Sequence, residues 1–115
     1  MNINDAVAEV ETALRGAGLA ASADPRQLNP PCAWVSATGL THELLSGGGT
    51  VRLDVYLIAP DHGVTAALDV LSTLLDKALD ALDPATETSL NEAVTLPAGG
   101  GPLPAFRLTV EREIC

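Results

Sequence analysis

The sequence predicts an α+β fold in which a mainly antiparallel sheet carries two helices packed on one face. Two segments repeat apolar residues at the three-to-four spacing of a helix, and several others alternate apolar and polar residues as strands do. Along the chain these segments follow the order helix, strands, helix, strands. The 115 residues suffice for one two-layer core, so residues 1–115 are expected to form a single domain.

The first helix is predicted over residues 4–17. Four apolar residues fall on one of its faces at helical spacing: Ile3, Val7, Val10 and Leu14. Either Gly16 or Gly18 is placed to end the helix, because glycine readily adopts the left-handed conformation of a C-terminal cap. The apolar face should therefore pack on the sheet.

Three strands are predicted in the next part of the chain, over residues 32–38, 40–45 and 50–59. In the third, four apolar residues alternate with polar ones and should share one face: Val51, Leu53, Val55 and Leu57. The other face carries Arg52, Asp54 and Tyr56. Residues 19–31, which precede these strands, are polar, contain prolines and show no period, so they are expected to form a connecting loop.

The second helix is predicted over residues 63–82, with Asp61 as its N-cap and Pro84 at its end. Six apolar residues step by three or four along it and are expected to form its buried face: Val64, Leu68, Leu71, Leu75, Leu79 and Leu82. At about 1.5 Å per residue this helix is about 30 Å long, enough to cross a small sheet. Two further strands are predicted over residues 90–96 and 105–114.

The charge of the chain bears on its function. Fifteen acidic residues against six basic ones give a net charge of −9. A protein that grips nucleic acid needs Lys and Arg to displace phosphate counterions, and an anionic membrane repels an acidic surface, so both classes are disfavoured. A protein that surrounds DNA without gripping it remains compatible, since an acidic wall repels phosphate.

Localisation is expected to be cytoplasmic at synthesis. No apolar run is long enough to span a membrane, and the N-terminal segment MNINDAVAEVE lacks the basic region of a signal peptide. With only Cys32 and Cys115, reduced thiols are the expectation, and a disulfide between the two is the less favoured alternative.

Candidate metal ligands are scattered. They are His42, His62, Cys32 and Cys115. Structural zinc takes four soft ligands, usually in paired short spacings, and no two of these residues are close in sequence. The aspartates of the second helix are spread over several turns and form no compact calcium loop. We therefore expect no metal and no cofactor.

The sequence also predicts no enzyme. Cys32 could act as a nucleophile only with His42 or His62 beside it, and no strained Gly-x-Ser-x-Gly turn suggests another nucleophile. The two glycine-rich segments, SGGGT and AGGGP, lack the lysine and the spacing of a phosphate-binding loop. They are better explained as hairpin tips, of the kind that can order when a partner arrives.

The order of parts resembles one protein family. A short amphipathic helix is followed by DPRQLNPPCAWVSATG, VRLDVYLIAPD, GVTAALDVLSTLLDKALDAL and PAFRLTVERE. In this order the chain resembles the tail terminator (tail completion) proteins of long-tailed, non-contractile bacteriophages, particularly those that infect actinobacteria. The resemblance covers essentially the whole chain, which would make it a single tail-terminator-like domain. It contains no catalytic motif.

This resemblance implies an assembly function. Subunits of the family form a ring, commonly a hexamer, on the last ring of the tail tube. The ring ends tube polymerisation and forms the surface that joins the tail to the head connector, and DNA passes through its channel without specific binding. The protein would be made in the host cytoplasm and reside in the virion, at the neck.

Two groups of residues are then expected to contact partners. The first comprises the two glycine loops, whose residues are Ser46, Gly47, Gly48, Gly49, Thr50, Ala98, Gly99, Gly100, Gly101 and Pro102. The second is a subunit interface made by Trp34, Arg52, Tyr56 and Arg107. Trp34 alternates with Ala33 and Val35, so if those two face the helices, Trp34 lies on the opposite face, where a ring neighbour can bury it.

Two alternatives stay open from the sequence. One is another neck protein of the same broad class, such as a head completion or stopper protein. The other is a small cytosolic α+β binding module, or an enzyme, with no relation to phage.

Overall fold

The computed structural model describes residues 3–42, 49–82, 85–97, 99 and 101–114. Two helices, α1 (Ile3–Gly16) and α2 (Val64–Ala81), pack on one face of a sheet. The sheet contains five strands, β1 (Ala21–Ser22), β2 (Cys32–His42), β3 (Gly49–Ile58), β4 (Ala85–Thr95) and β5 (Pro102–Ile114). The predicted α+β fold with two helices on one face is confirmed.

The strands lie in the order β1-β2-β3-β5-β4. All neighbouring pairs are antiparallel except β1 and β2, which are parallel. The central strands β3 and β5 are therefore paired on both sides, whereas β4 forms one edge of the sheet. This central position explains why β3 has the clearest strand pattern in the sequence.

The main core lies between the helices and the sheet. The alternation of β3 buries Val51, Leu53, Val55 and Leu57, as predicted. From β5 the core receives Phe106, Leu108 and Val110. The helix α1 contributes Ala6, Val10 and Leu14. Because these side chains are excluded from water on both sides of the interface, their burial is the principal stabilising term of the fold.

The end of α1 is fixed by Gly18. Its φ angle is 91°, in the left-handed region that glycine adopts without strain. The amide of Gly18 donates to the Arg15 carbonyl, and the amide of Leu19 donates to the Leu14 carbonyl, both at 3.0 Å. This pair of hydrogen bonds is a Schellman motif, and its flanking residues Leu14 and Leu19 are both buried in the core.

The segment predicted as a loop over residues 19–31 is partly ordered by hydrogen bonds. It contains β1 and a short 3₁₀ turn, Pro25–Gln27. The side chain of Asp24 caps this turn by accepting from the amide of Arg26 at 3.0 Å. The prediction missed both elements, because a two-residue strand and a single turn have no periodicity to detect.

The strand boundaries also differ from the prediction. The two predicted strands at 32–38 and 40–45 are one strand, β2, because a register shift between Ala37 and Gly39 bends it without ending it. Strand β4 begins at Ala85 and not at residue 90, since pairing with β5 extends a polar stretch of weak strand propensity. The predicted residues 43–45 lie outside the described part of the chain.

The buried face of α2 is rotated from the predicted one. Leu71 and Leu82 are buried as predicted, but Val64, Leu68 and Leu79 are 77%, 46% and 44% exposed. The helix instead rests on small residues together with leucines: Ala67, Leu71, Leu74 and Ala78. Small side chains let the helix axis approach the sheet closely, so the face with alanines is the one that packs.

The start of α2 differs as well. Gly63 occupies the N-cap position, and no side chain caps the first turn, so the prediction that Asp61 is the N-cap is wrong. Pro84, predicted to end the helix, lies outside the described residues. Within the described ranges, no helix is both long and apolar enough to cross a membrane.

Candidate interaction face

The side of the sheet opposite α1 and α2, here called the helix-free face, carries a row of large side chains. Trp34 in β2 pairs with Tyr56 in β3, and Tyr56 pairs with Arg107 in β5. Residues directly opposite one another in a sheet point to the same side, so these three side chains lie next to each other. We call them the Trp-Tyr-Arg row.

The two aromatic rings of the row are in contact. The ring centroids of Trp34 and Tyr56 are 5.2 Å apart, and the rings are inclined by 27° in a stacked arrangement. The indole Nε1 of Trp34 donates a hydrogen bond of 3.2 Å to the carbonyl oxygen of Ala23. Trp34 is therefore held at both its ring face and its polar edge, while part of its surface remains accessible.

One end of the helix-free face is covered by the chain itself. A second apolar cluster lies there, and its buried members are Cys32, Ile58, Val94, Leu96 and Ala105. Leu28, from the segment before β2, and Leu103 pack against it. The peptide bond between Pro30 and Pro31, which leads into β2, is cis. The helix-free face, which the sequence predicted to be uncovered, is therefore covered around Cys32 by the chain itself. Its accessible part begins at the Trp-Tyr-Arg row and extends toward Arg52.

Arg107 lies at the third position of the row. Its Nη1 atom is 3.2 Å from Oε1 of Glu92 in β4. The negative charge of Glu92, followed by a hydrogen bond with Tyr56, raises the pKa of the Arg107 guanidinium. Its Nε atom is enclosed and has no hydrogen-bond acceptor among the described residues. The Nε donor is therefore left unsatisfied within the described part of the subunit.

A buried carboxylate lies one row further along the face. Asp54 is 6% exposed, and its Oδ1 atom accepts a hydrogen bond of 3.2 Å from the hydroxyl of Thr109. Nε of Arg52 approaches the same oxygen at 3.7 Å. Burying a carboxylate is costly unless it is hydrogen-bonded and paired, and these two neighbours supply both. Asp54 thus links β3 to β5 on the helix-free face.

All four residues expected at a subunit interface lie on this face. Trp34, Tyr56 and Arg107 form one row, whereas Arg52 lies four residues from Tyr56 along β3, a separation of about 13 Å. The exposed head of Arg52 extends the face toward its far end. The sequence did not identify Glu92 as a partner of Arg107, because their approach depends on the register shift between Ser89 and Glu92 in β4.

The strands extend into both glycine-rich segments, so fewer of their residues are in loops than predicted. Gly49 and Thr50 belong to β3, where they pair with β2 and β5. Thr50 was predicted as the first residue of this strand, whereas the assignment of Gly49 to the hairpin turn is wrong. Pro102 is the first residue of β5 and pairs with Thr95. Gly49 and Thr50 are paired because β2 and β5 extend far enough to lie beside them, and Pro102 is paired because β4 extends to Thr95.

Other residues of the two segments retain loop positions or are not described. Gly99 and Gly101 have φ angles of 93° and 74°, which favour glycine, and they form the turn between β4 and β5. Five of the expected contact residues lie outside the described part of the chain: Ser46, Gly47, Gly48, Ala98 and Gly100.

The cysteine considered as a nucleophile does not have the surroundings of one. Cys32 is fully buried, and burial raises the pKa of its thiol to about 11, whereas a reactive thiol needs a lowered pKa. His42 is the last residue of the same strand, about 30 Å from Cys32. Cys115 lies outside the described residues, as does the side chain of His42. Over the residues that the structure describes, no three His, Cys, Asp or Glu side chains form a group able to hold a metal.

Comparison with known proteins adds no assignment to this geometry. The chain matches no protein-family model, and no curated protein matches it at a significant level. The arguments for a function therefore come from the helix-free face, from the charge of the chain and from the resemblance described above.

Proposed function

We propose that this protein is a structural assembly protein of a bacteriophage tail, a tail terminator that caps the tail tube as a ring. Each subunit would contact its ring neighbours through the helix-free face, and the ring would end tube polymerisation and join the tail to the head connector. The reaction is assembly, so no residue acts as a catalyst.

The observation that carries this proposal is the composition of the Trp-Tyr-Arg row. The chain contains one Trp, one Tyr and one Phe, and two of these three aromatic residues lie side by side on the helix-free face next to an arginine. Trp, Tyr and Arg are the residue types most enriched at the energetic centres of protein–protein interfaces. A surface row of this composition favours a protein-binding face over a solvated one.

The unpaired donor of Arg107 supports the same assignment. An enclosed N–H group without an acceptor costs free energy. Ring formation would remove this cost if Arg107 reoriented on binding so that its Nε met a carbonyl or carboxylate oxygen of the neighbouring subunit. A closed ring joins two different patches around the circle, so the acceptor would come from another part of the neighbour's surface. The row would then form one half of a head-to-tail contact.

The net charge of −9 supports a ring that encloses DNA. Carboxylates on the channel wall would repel the phosphate backbone and let it pass without binding. With six Lys and Arg residues against fifteen Asp and Glu, the chain is also better suited to bind a protein than a nucleic acid.

Assembly of purified protein tests the proposal. We expect rings to form on tail tubes reconstituted from the tail tube protein of the same phage, visible by electron microscopy as caps that stop further growth. Light scattering then measures whether the free protein already assembles. Tubes that keep their length distribution and bear no caps when the protein is added would contradict the proposal.

The residues of the face are tested by two variants. Trp34→Ala is expected to reduce ring formation by more than its effect on stability accounts for, and Arg107→Lys, which keeps the charge but loses the Nε donor, is expected to reduce it with little change in stability. Equal proportional losses in ring formation and in stability would mean that Trp34 serves only the subunit's own core. Thr73→Ala, on the exposed side of α2, is the matched control.

Deletion of the gene distinguishes a terminator from another neck protein. Loss of a terminator should give overlong tails that are not attached to heads. Tails of normal length in the deletion would instead indicate a head completion or stopper protein.

A further inference from the structure

The two described helices make their main contacts with four of the five strands of the sheet. The helix α1 packs mainly on β1 and β2, and α2 packs on β3 and β5. A helix is about 10 Å wide with its side chains, and strands are about 4.8 Å apart, so two helices cover about four strands. The fifth strand, β4, lies at the edge of the sheet, where neither α1 nor α2 has its main contacts.

The flank of α2 beside β4 is apolar. Val64, Leu68 and Leu79 lie on this flank at helical spacing and are 77%, 46% and 44% exposed. The opposite flank of α2 faces the end of α1, because a Cβ added at Gly18 would lie 4.0 Å from Nζ of Lys77. The exposed apolar stripe therefore points away from α1, toward β4.

Strand β4 supplies the second wall of a groove. Between Ser89 and Glu92 the register of β4 shifts, and Leu90, which lies within this irregularity, is 62% exposed. The groove has a volume of about 250 Å³ at the N-terminal half of α2. Its lining includes Val64, Leu68, Leu90, Pro104 and Phe106. Exposed apolar side chains that meet in one concave surface mark a binding site.

The charge around the groove indicates what it binds. The helix α2 contains a single basic residue, Lys77, and it lies on the α1 side. Its acidic residues, Asp69, Asp76 and Asp80, are exposed on the outer side of the helix, next to the apolar stripe. Asp61 lines the groove, and Glu92 borders it with its charge paired to Arg107. An apolar groove with an acidic margin along α2 is complementary to an apolar segment with a basic margin.

We propose that this groove binds one amphipathic helix of another protein, with an apolar face toward Val64, Leu68, Leu79 and Leu90 and with Lys or Arg along the margin that faces α2. The bound helix would complete the helix layer over β4. From Val64 to Leu79 the stripe is about 22 Å long, so about 15 residues of the partner would lie against it.

A helix fits this surface better than the other occupants. An added strand would have to pair with the edge of β4, where the register irregularity and the charge of Glu87 and Glu92 oppose regular pairing. A second copy of this chain would bring a net charge of −9 to an acidic groove, and the outward face of its α1 carries Glu9. The groove is on the opposite side of the sheet from the Trp-Tyr-Arg row, so this proposal does not depend on the ring.

Two synthetic peptides test the proposal. Both have leucine at helical spacing, and the remaining positions are lysine in one and glutamate in the other. By fluorescence anisotropy with the full chain, the lysine peptide should bind at least about tenfold more tightly than the glutamate peptide, and more weakly as salt is added. The double variant Leu68→Gln, Leu79→Gln should weaken binding of the lysine peptide by about tenfold or more.

The control is Ile3→Gln, which removes an exposed apolar side chain of α1 that is 40% exposed and outside the groove. It should leave binding of the lysine peptide unchanged, and circular dichroism should show the native fold in every variant. Trp34→Ala should also leave peptide binding unchanged, which separates this proposal from the ring.

Three results would overturn the proposal. One is failure of the lysine peptide to bind the unmodified chain, or equal affinity for both peptides. Another is binding that the double variant does not weaken, since this would mean a general attraction of cationic peptides to an acidic surface. The third is a dimer of the unmodified chain that the double variant dissociates, because the occupant would then be a second copy.

Discussion

The indole of Trp34 stacks on the phenol ring of Tyr56, with ring centroids 5.2 Å apart, on the side of the sheet that no helix covers. Trp34 comes from β2 and Tyr56 from β3, so the contact also ties these two strands together. The hydrogen bond from Trp34 Nε1 to Ala23 adds the segment before β2 to the same unit. The pair is therefore both part of the subunit's own structure and the centre of the proposed interface.

Removal of the indole should lower stability by a measurable but limited amount. We expect Trp34→Ala to reduce the free energy of unfolding by about 2 kcal/mol, since it removes an aromatic pair and a hydrogen bond from a partly exposed site. Trp34→Phe keeps a stacked ring and should lose only about 1 kcal/mol. A double-mutant cycle of Trp34→Ala with Tyr56→Ala in urea should give a coupling energy of about 1 kcal/mol, and additive losses would mean that the stack contributes nothing.

The hydroxyl of Thr109 should matter because it hydrogen-bonds a buried carboxylate. Thr109→Val has nearly the same shape but leaves Asp54 without this donor, so the free energy of unfolding should fall by about 1–2 kcal/mol. Thr109→Ser keeps the hydroxyl and is the control, with a smaller loss. Urea unfolding of both variants measures the difference, and equal stability of the Val and Ser variants would show that the hydrogen bond is dispensable.

Gly18 and Gly16 provide a matched test of the helix end. Gly18→Ala forces a side chain into a conformation with φ of 91° and should cost about 1–2 kcal/mol. Gly16 is in the last turn of α1, and a Cβ there meets no atom within 4 Å, so Gly16→Ala should be neutral or stabilising by up to about 1 kcal/mol. Thermal unfolding of the two variants should therefore shift in opposite directions or differ clearly in size, and similar shifts would contradict the assigned cap.

The buried thiol of Cys32 should make stability depend on pH in the alkaline range. Burial raises its pKa from an ordinary value of 9.0 to about 11 in the folded chain. The unfolded chain then releases this proton at a lower pH than the folded chain does. The contribution is fully present below pH 9 and is lost as the pH rises from about 9 to 11, at a cost of roughly 2 kcal/mol.

The measurement compares two proteins that both carry Cys115→Ser, so that only Cys32 differs. The variant with Cys32→Ala should lack this part of the alkaline destabilisation, although it is less stable at neutral pH because it loses a buried side chain. Reaction of Cys32 with a thiol reagent should also be slow in the folded state at pH 8. Parallel stability curves for the two proteins between pH 8 and pH 11 would contradict the raised pKa.

The sequence by itself was sufficient for the fold class, for both helices and for the face of the central strand. These features follow from local periodicity: the alternation of Val51, Leu53 and Val55 and the helical spacing of Val10 and Leu14 each specify a buried face. Trp34 was assigned to the opposite face by the same alternation, and its side chain is found there. A period of two or of 3.6 residues is a property of the chain alone.

Only the tertiary structure decided which face of α2 is buried, where β4 begins and which side chains meet. Val64 and Leu68 belong to a regular apolar pattern, yet they are exposed because α2 rests on Ala67 and Ala78 and the described residues supply no third helix over β4. The approach of Arg107 to Glu92 depends on a register shift between two strands. The burial of a helix face depends on how many helices are available to cover the sheet, and side-chain contacts between strands depend on how distant strands align. The periodicity of a single segment contains information on neither.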